Sequence, residues 1–340
     1  MFLTQLHRFI DWESSERSTQ SLALPVPAVF WTGSRTIDAI GENLPTGGRV
    51  LTSLGRARRL DAESAAGLAR VLSDPTFELI PLKNVGEQAT HIPRGRTISV
   101  TASPGKTIET TVDLAIELEG AGLRAIPHLS ARMIRDRAHL GTILDRLAGA
   151  GIDRAFVVGG DADEPGEFLD GLSLLRAMAD LGTLPKELGC PCYPQGHPDI
   201  PDETLAQALR DKAPLVQYMT TQLCFDPQAI ERFIQDRRSE GITLPVKLGI
   251  PGVAEIPKLL SISARIGVKD ASKFVLRNYR FVGQLLRAGG VYRPDALLRK
   301  LAPVIADPVA NVLGLHVYTF NNVLGTEDWR RENLRSTRSA

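Results

Sequence analysis

The chain is short of cysteine, of net charge and of long apolar runs, and each shortage removes a class of explanation. Only Cys190, Cys192 and Cys224 occur among 340 residues, which is no basis for a disulfide framework. Cys190-Pro191-Cys192 has the wrong spacing for a redox C-x-x-C motif, and a zinc site would need more ligands than lie nearby. The thiols read as small buried strand residues. Lysine and arginine total 40 against 39 acids, a net charge of +1, so there is no electrostatic case for a nucleic-acid partner. No apolar run approaches the ~18 residues of a membrane span. Asp11, Glu13 and Glu16 stand where a signal peptide would need its apolar stretch. A soluble, cytoplasmic protein is expected, with no membrane or nucleic-acid partner.

What is present is ordinary globular material, 43% hydrophobic and 23% charged, enough for a sizeable core. The length suits one α/β barrel of ~250 residues with an extension, or two smaller domains. From residue 77 a repeating grammar appears. Short β-rich runs fall at 76–82, 97–102, 124–129, 154–160, 190–194, 216–222, 244–250 and 312–320. Between most of them lie segments with apolar residues at i, i+3 and i+4, such as Ile108/Val112/Ala115/Ile116 and Leu140/Ile143/Leu144/Leu147. Gly122, Gly151 and Gly241 stand where helix ends need them. Eight strands alternating with helices predict a (β/α)8 TIM-type barrel over 76–330. A doubly wound open sheet is the alternative, because counting strands does not prove closure. Residues 1–75 read as an N-terminal extension packed on the barrel or on a neighbouring subunit of a homo-oligomer. It carries a helix at 61–73 with Asp61 as N-cap. The link at 83–96 holds Pro93 and Gly95 and is too short for a full helix, so the 61–73 helix is expected to cover that gap. Residues 331–340 read as a disordered tail.

Chemistry in such a barrel sits at the C-terminal ends of the strands. Glu78, between Phe77 and Leu79, loses solvation if it points inward; that raises its pKa and suits proton donation near neutral pH. An ion pair on the outer face is an equal alternative. Val157-Val158-Gly159-Gly160-Asp161 ends a buried run in a lone carboxylate, placed to stabilise positive charge, to bind a ring N–H, or to cap the loop. Asp163 and Glu164 read as solvated loop charges. Thr101 to Lys106 is a weak anion-site candidate ahead of a helix. His128 follows Pro127 near a strand end, either as scaffold or as ligand. Tyr193-Pro-Gln195-Gly-His197-Pro aims an aromatic and an imidazole from a rigid loop that suits a planar ring or a phosphate. Gln222 ends another strand, where an amide is costly if unpaired. Lys247, read at the end of its strand, is the one strand-borne lysine a Schiff-base aldolase could use. No nucleophile elbow or metal-ligand spacing stands out.

In chain order these pieces resemble the methylenetetrahydrofolate reductase family. The matching strings are FELIP (77–81), SVT (99–101), PHL (127–129), GGD (159–161), YPQGHP (193–198), TQLCFD (221–226) and HVYTFN (316–321). The resemblance implies an FAD-dependent barrel that interconverts 5,10-methylenetetrahydrofolate and 5-methyltetrahydrofolate, with NADH or NADPH as co-substrate. It implies Glu78 as the acid that opens the folate ring, Asp161 near both flavin and pterin, and Gln222 on folate. It implies flavin contacts from Thr101, His128, Tyr193, His197 and Lys212, with Phe168 as the aromatic after the aspartate loop.

The departures are specific. Gly159 stands where the family has arginine, which removes a charge-assisted contact of ~1.5–3 kcal/mol. Gln195 stands where it has an acid, and Leu79 to Leu82 replace an aromatic and proline run. They bear on flavin affinity and nucleotide use, and they motivate an alternative in which the chain is a flavin-free folate-binding or regulatory barrel.

Overall fold

The eight runs form strands because mostly apolar sequence is buried along nearly every one of them, as parallel strands covered on both faces require. The computed structural model describes residues 60–103, 105–182, 184–259 and 290–338. The expected extension before residue 60 lies outside the described residues. In chain order the elements begin α1 (Ala62–Ser73), β1 (Thr76–Leu79), α2 (Val85–Ala89), β2 (Thr97–Val100), α3 (Ile108–Gly120) and β3 (Arg124–Ser130). Next come α4 (Arg137–Gly149), β4 (Arg154–Val158), α5 (Gly171–Leu181), β5 (Glu187–Cys192), α6 (Asp202–Lys212) and β6 (Tyr218–Thr221). The remainder are α7 (Pro227–Ser239), β7 (Val246–Pro251), β8 (Ala254–Glu255), β9 (Val291–Tyr292), α8 (Asp295–Ala306), β10 (Val312–Tyr318) and α9 (Val323–Arg338).

Strands β1 to β7 and β10 close in the order β1-β10-β7-β6-β5-β4-β3-β2, every pair parallel. Closure excludes the open doubly wound sheet and gives the (β/α)8 barrel. Strands β8 and β9 form a separate antiparallel pair. The helical periodicity is realised as burial: α3 covers Ile108, Val112 and Ala115, and α4 covers Leu140, Ile143, Leu144 and Leu147. Gly122, Gly151 and Gly241 follow α3, α4 and α7 with φ of 90°, 76° and 82°, a region where a Cβ would be strained. Among the described residues no helix is long and apolar enough to cross a membrane.

Three local expectations are corrected. The Asp61 side chain does cap α1, accepting from Ser64 N at 2.7 Å. The helix packs on α8, α9 and β10, however, rather than over the link after β1, which carries only the five-residue α2. Its buried face of Leu68, Val71 and Leu72 meets those partners, and Arg330 of α9 donates to Leu72 O at 2.8 Å. Residues 331–338 are the last turns of α9 rather than a disordered tail. Fully buried Trp329 anchors them, and ion pairs Arg331–Glu327 and Arg293–Glu332, each 2.7 Å, hold them down. Lys247 opens β7 instead of ending it, so it lies at the barrel mouth opposite the chemistry. There its Nζ sits 4.0 Å from the Tyr218 ring centroid and 3.6 Å from Glu187. That removes the Schiff-base candidate.

Candidate active site

Residues from six strands, β5 among them through Pro191, and the loops that follow them enclose a cavity of about 200 Å³ at the C-terminal mouth. Glu78 of β1, His128 of β3, Phe156 and Val158 of β4, Thr220 of β6, and His316 and Tyr318 of β10 line it. Gly159 to Asp161, Tyr193, His197 and Gln222 come from the segments beyond the strands. Six residues singled out in the sequence are therefore brought together: Glu78, His128, Asp161, Tyr193, His197 and Gln222. Lys212 lines an adjoining cavity of about 410 Å³ that shares Pro191 and Tyr193 with the first. Thr101 and Phe168 are not on the wall of either cavity. Thr101 is fully buried just past β2, its backbone N donating to Leu79 O and its carbonyl accepting from Thr111 Oγ1. Phe168 packs in the apolar core.

Glu78 points inward, which resolves its two readings. Its Oε2 lies 3.1 Å from His316 Nε2, and the two side chains are 6% and 4% exposed. Loss of solvation pushes the carboxyl up to about 7, opposed by the nearby His128. The same burial pulls His128 down to about 4, Glu78 opposing, and His316 down to about 3, with the charge of Lys247 adding to it. At neutral pH the floor of the cavity thus combines two neutral imidazoles with an acid near its midpoint, the condition for proton transfer in either direction.

The string 316–321 had no assigned role in the sequence, yet it organises the site. His316 and Tyr318 project to one side of β10 by the two-residue period of a strand. Tyr318 donates its hydroxyl to Thr221 O at 3.2 Å and to Gln222 Oε1 at 3.1 Å. Leu223 N donates to the same Oε1 at 2.8 Å, so the Gln222 amide oxygen is committed and its NH2 group is the remaining donor. Thr319 Oγ1 donates to Glu78 O at 2.5 Å. Asn321 accepts from Ile80 N and donates to Ile80 O, each at 2.9 Å, closing the first strand onto the last. Phe320 and Asn321 hold left-handed φ of 50° and 56°, the bend that lets the Asn321 amide reach back. The available signal was the His-x-Tyr alternation inside an apolar run. That β10 lies beside β1 has no local signature.

Asp161 lies three residues beyond β4 in a loop gripped by the end of β3. Arg132 N donates to Gly159 O at 3.1 Å, and its Nε donates to Ala162 O at 2.7 Å. Gly160 has φ 82°, and a Cβ there would lie 2.0 Å from Ser130 Oγ. At Gly159 the nearest atom to an added Cβ is Gly171 N, 3.9 Å away, so a side chain there would start without a clash.

The wall has the chemistry of a planar heterocycle site. His128 Nε2 and Thr220 Oγ1 are buried without a protein partner, while Phe156, Tyr193 and Tyr318 supply aromatic surface. A flavin ring carries donors and acceptors able to satisfy the two orphaned atoms, and Lys212 in the adjoining cavity suits an anionic tail. The residues present therefore fit that cofactor.

The profile of the family described as "Methylenetetrahydrofolate reductase" matches residues 82–323, beginning just after Glu78. A Caenorhabditis elegans relative described as "Probable methylenetetrahydrofolate reductase (NADPH)" is 30% identical over 208 residues, 57% of this chain. The chain spans only 29% of that relative's length. Among solved structures, a plant class V chitinase mutant from Cycas revoluta in complex with (GlcNAc)3 is 11% identical. That likeness covers 78% of this chain and 99% of the other, with a TM-score of 0.44. A GH18 chitinase from Flavobacterium johnsoniae is 10% identical over 78% of this chain and 94% of its own, with a TM-score of 0.43. Likenesses that loose carry no argument about this chain's chemistry. The profile match spans well over half of the sequence, and the chain belongs to the methylenetetrahydrofolate reductase family.

Proposed function

We propose that the chain interconverts 5,10-methylenetetrahydrofolate and 5-methyltetrahydrofolate, with bound FAD as redox group and a reduced nicotinamide nucleotide as the other substrate. The observation that carries this reading is a carboxyl, Glu78, buried at the cavity floor against His316, where loss of solvation raises its pKa to about 7. In the reductive direction Glu78 gives its proton to the ring nitrogen of the folate as the bond from that nitrogen to the bridging carbon breaks. The bond's electron pair stays with the nitrogen, and the methylene carbon is left as an iminium cation. Asp161, in the loop fixed by Arg132, puts negative charge beside that cation, an electrostatic role. Gln222 offers its NH2 group to the pterin, its oxygen already held by Tyr318. Tyr193 and His197, whose rings meet edge to face at 5.5 Å, and His128 line the flavin side. The flavin, when bound, supplies the hydride that completes the methyl group. The reverse reaction uses the same residues.

The test is an absorbance spectrum of the full chain with FAD, followed anaerobically by reduced nicotinamide and then by 5-methyltetrahydrofolate. The expected result is a flavin that both reductants bleach in the native protein. In Glu78→Gln only the nicotinamide should bleach it. A protein that takes up no FAD, or a variant that loses both reactions together, overturns the reading. Gly159 and the positions of Thr101 and Phe168 off the cavity wall favour a second reading, a folate-binding barrel without flavin. Folate binding by a protein that never takes up FAD would support it.

A further inference from the structure

A buried carboxylic acid has two unlike oxygens, a carbonyl that accepts and a hydroxyl that donates. A neutral imidazole likewise has one N–H and one bare nitrogen. The contact between Glu78 and His316 can therefore be made in two ways, and they differ in whether the acid's proton is available. If the Glu78 hydroxyl donates to His316, the proton is tied up inside the pair. If His316 Nε2–H donates to the carboxyl, the proton stays on the other oxygen.

The contact involves Oε2, while Glu78 also lines the cavity. The His316 ring lies between Phe156, at 6.4 Å between centroids, and Tyr318, at 5.0 Å, and is itself buried. The groups facing the pair are His128 from β3, Tyr318 from β10 and, at longer range, Lys247 from β7. Burial keeps His128 neutral and pushes the Tyr318 hydroxyl up, so neither adds a negative charge that would draw a second proton onto His316.

We propose that His316 is the positioning residue for the acid: its Nε2–H donates to Oε2 of Glu78, which leaves Oε1 to carry the proton toward the cavity. The inference rests on reading Glu78 as the proton donor and adds which of its atoms delivers. No group on the cavity wall other than His316 meets Oε2 in this geometry.

The test uses infrared spectra of the full chain without folate. The protonated Glu78 carbonyl band is identified by its loss in Glu78→Gln. In His316→Leu the band should move to higher frequency, because the carbonyl has lost its donor. Its titration should move to higher pH, because a donor to Oε2 favours the carboxylate. His316→Gln, which keeps an N–H at similar reach, should restore the native band. Where leucine prevents folding, His316→Asn is polar but too short to reach Oε2 and serves instead. An unmoved band, or a titration that falls, overturns the proposal. Turnover supplies an independent arm: His316→Leu should lose up to roughly 100-fold in kcat with KM little changed. The expected band shifts in a protein without folate turnover would leave the pair standing and sink the reductase reading. Turnover in a protein whose band never moves would overturn the pair alone.

Discussion

Replacing Glu78 with glutamine should remove a pH dependence from the stability of the protein. In the fold, burial pushes the carboxyl from its ordinary 4.5 to about 7. At about 1.4 kcal/mol per tenfold change, that displacement is worth about 3 kcal/mol. The sign follows from which state holds the proton. Below 4.5 both folded and unfolded chains are protonated and Glu78 makes no difference. As pH rises past 4.5 the unfolded chain releases its proton while the fold retains it, so stability falls until pH passes about 7. His128 and His316 act in the opposite sense. Drawn from 6.5 to about 4 and about 3, they stay neutral in the fold and lower stability as pH drops below 6.5. They are present in both proteins and largely cancel in the comparison. The assay is urea unfolding of native protein and Glu78→Gln at intervals from roughly pH 4 to pH 8.5. The variant's stability relative to native should climb by about 3 kcal/mol across that range. A constant offset, from loss of the acid's bond to His316, leaves that slope untouched. Parallel curves would refute the argument that Glu78 is desolvated in the fold.

Two further outcomes test the frame around the site. Arg330 is 4% exposed, bonded to Glu327 at 2.6 and 2.8 Å and to Leu72 O, so Arg330→Met takes two bonds from a buried carboxylate that keeps its 2.7 Å contact with Arg331. Thermal or urea unfolding should register a loss of about 1–3 kcal/mol, and no loss would mean that the Arg330 bond to Leu72 O does not hold α1 on α9. Gly160→Ala should cost about 1–2 kcal/mol for a Cβ at φ 82°, plus displacement of the Ser130 hydroxyl. Gly159→Ala, with 3.9 Å of clearance, should be far milder, and equal losses by urea unfolding at the two positions would contradict the geometry of the Asp161 loop.

Much of the fold was legible in the sequence because it is local physics. Runs such as RAFVV and LPVKLGI, short and mostly apolar, fit a buried strand better than a helix. The i, i+3, i+4 spacing of Leu140, Ile143, Leu144 and Leu147 is the buried stripe of α4. Strand-end residues such as Tyr193 and Gln222 were legible as well, since polar groups closing apolar runs face either a ligand or an unpaired burial. The misreadings came from places where local pattern leaves position undetermined. Asp61 marks the start of α1 but not the surface on which the helix lands. The polar sequence after Trp329 suits a free tail until Asp295, Arg293 and Glu327 engage it. Lys247 lies inside its run, and which end of β7 it occupies depended on where the strand begins.

By itself, the sequence determined the eight barrel strands, most of the helices between them, and the set of polar groups at the strand ends, because each follows from solvation and periodicity over a few residues. Only the tertiary structure decided that Glu78 points inward, that its partner is His316, 238 positions away, and that Tyr318 holds Gln222. Closing the ring of eight strands puts the first beside the last, and that contact removes water from a carboxyl and an imidazole together.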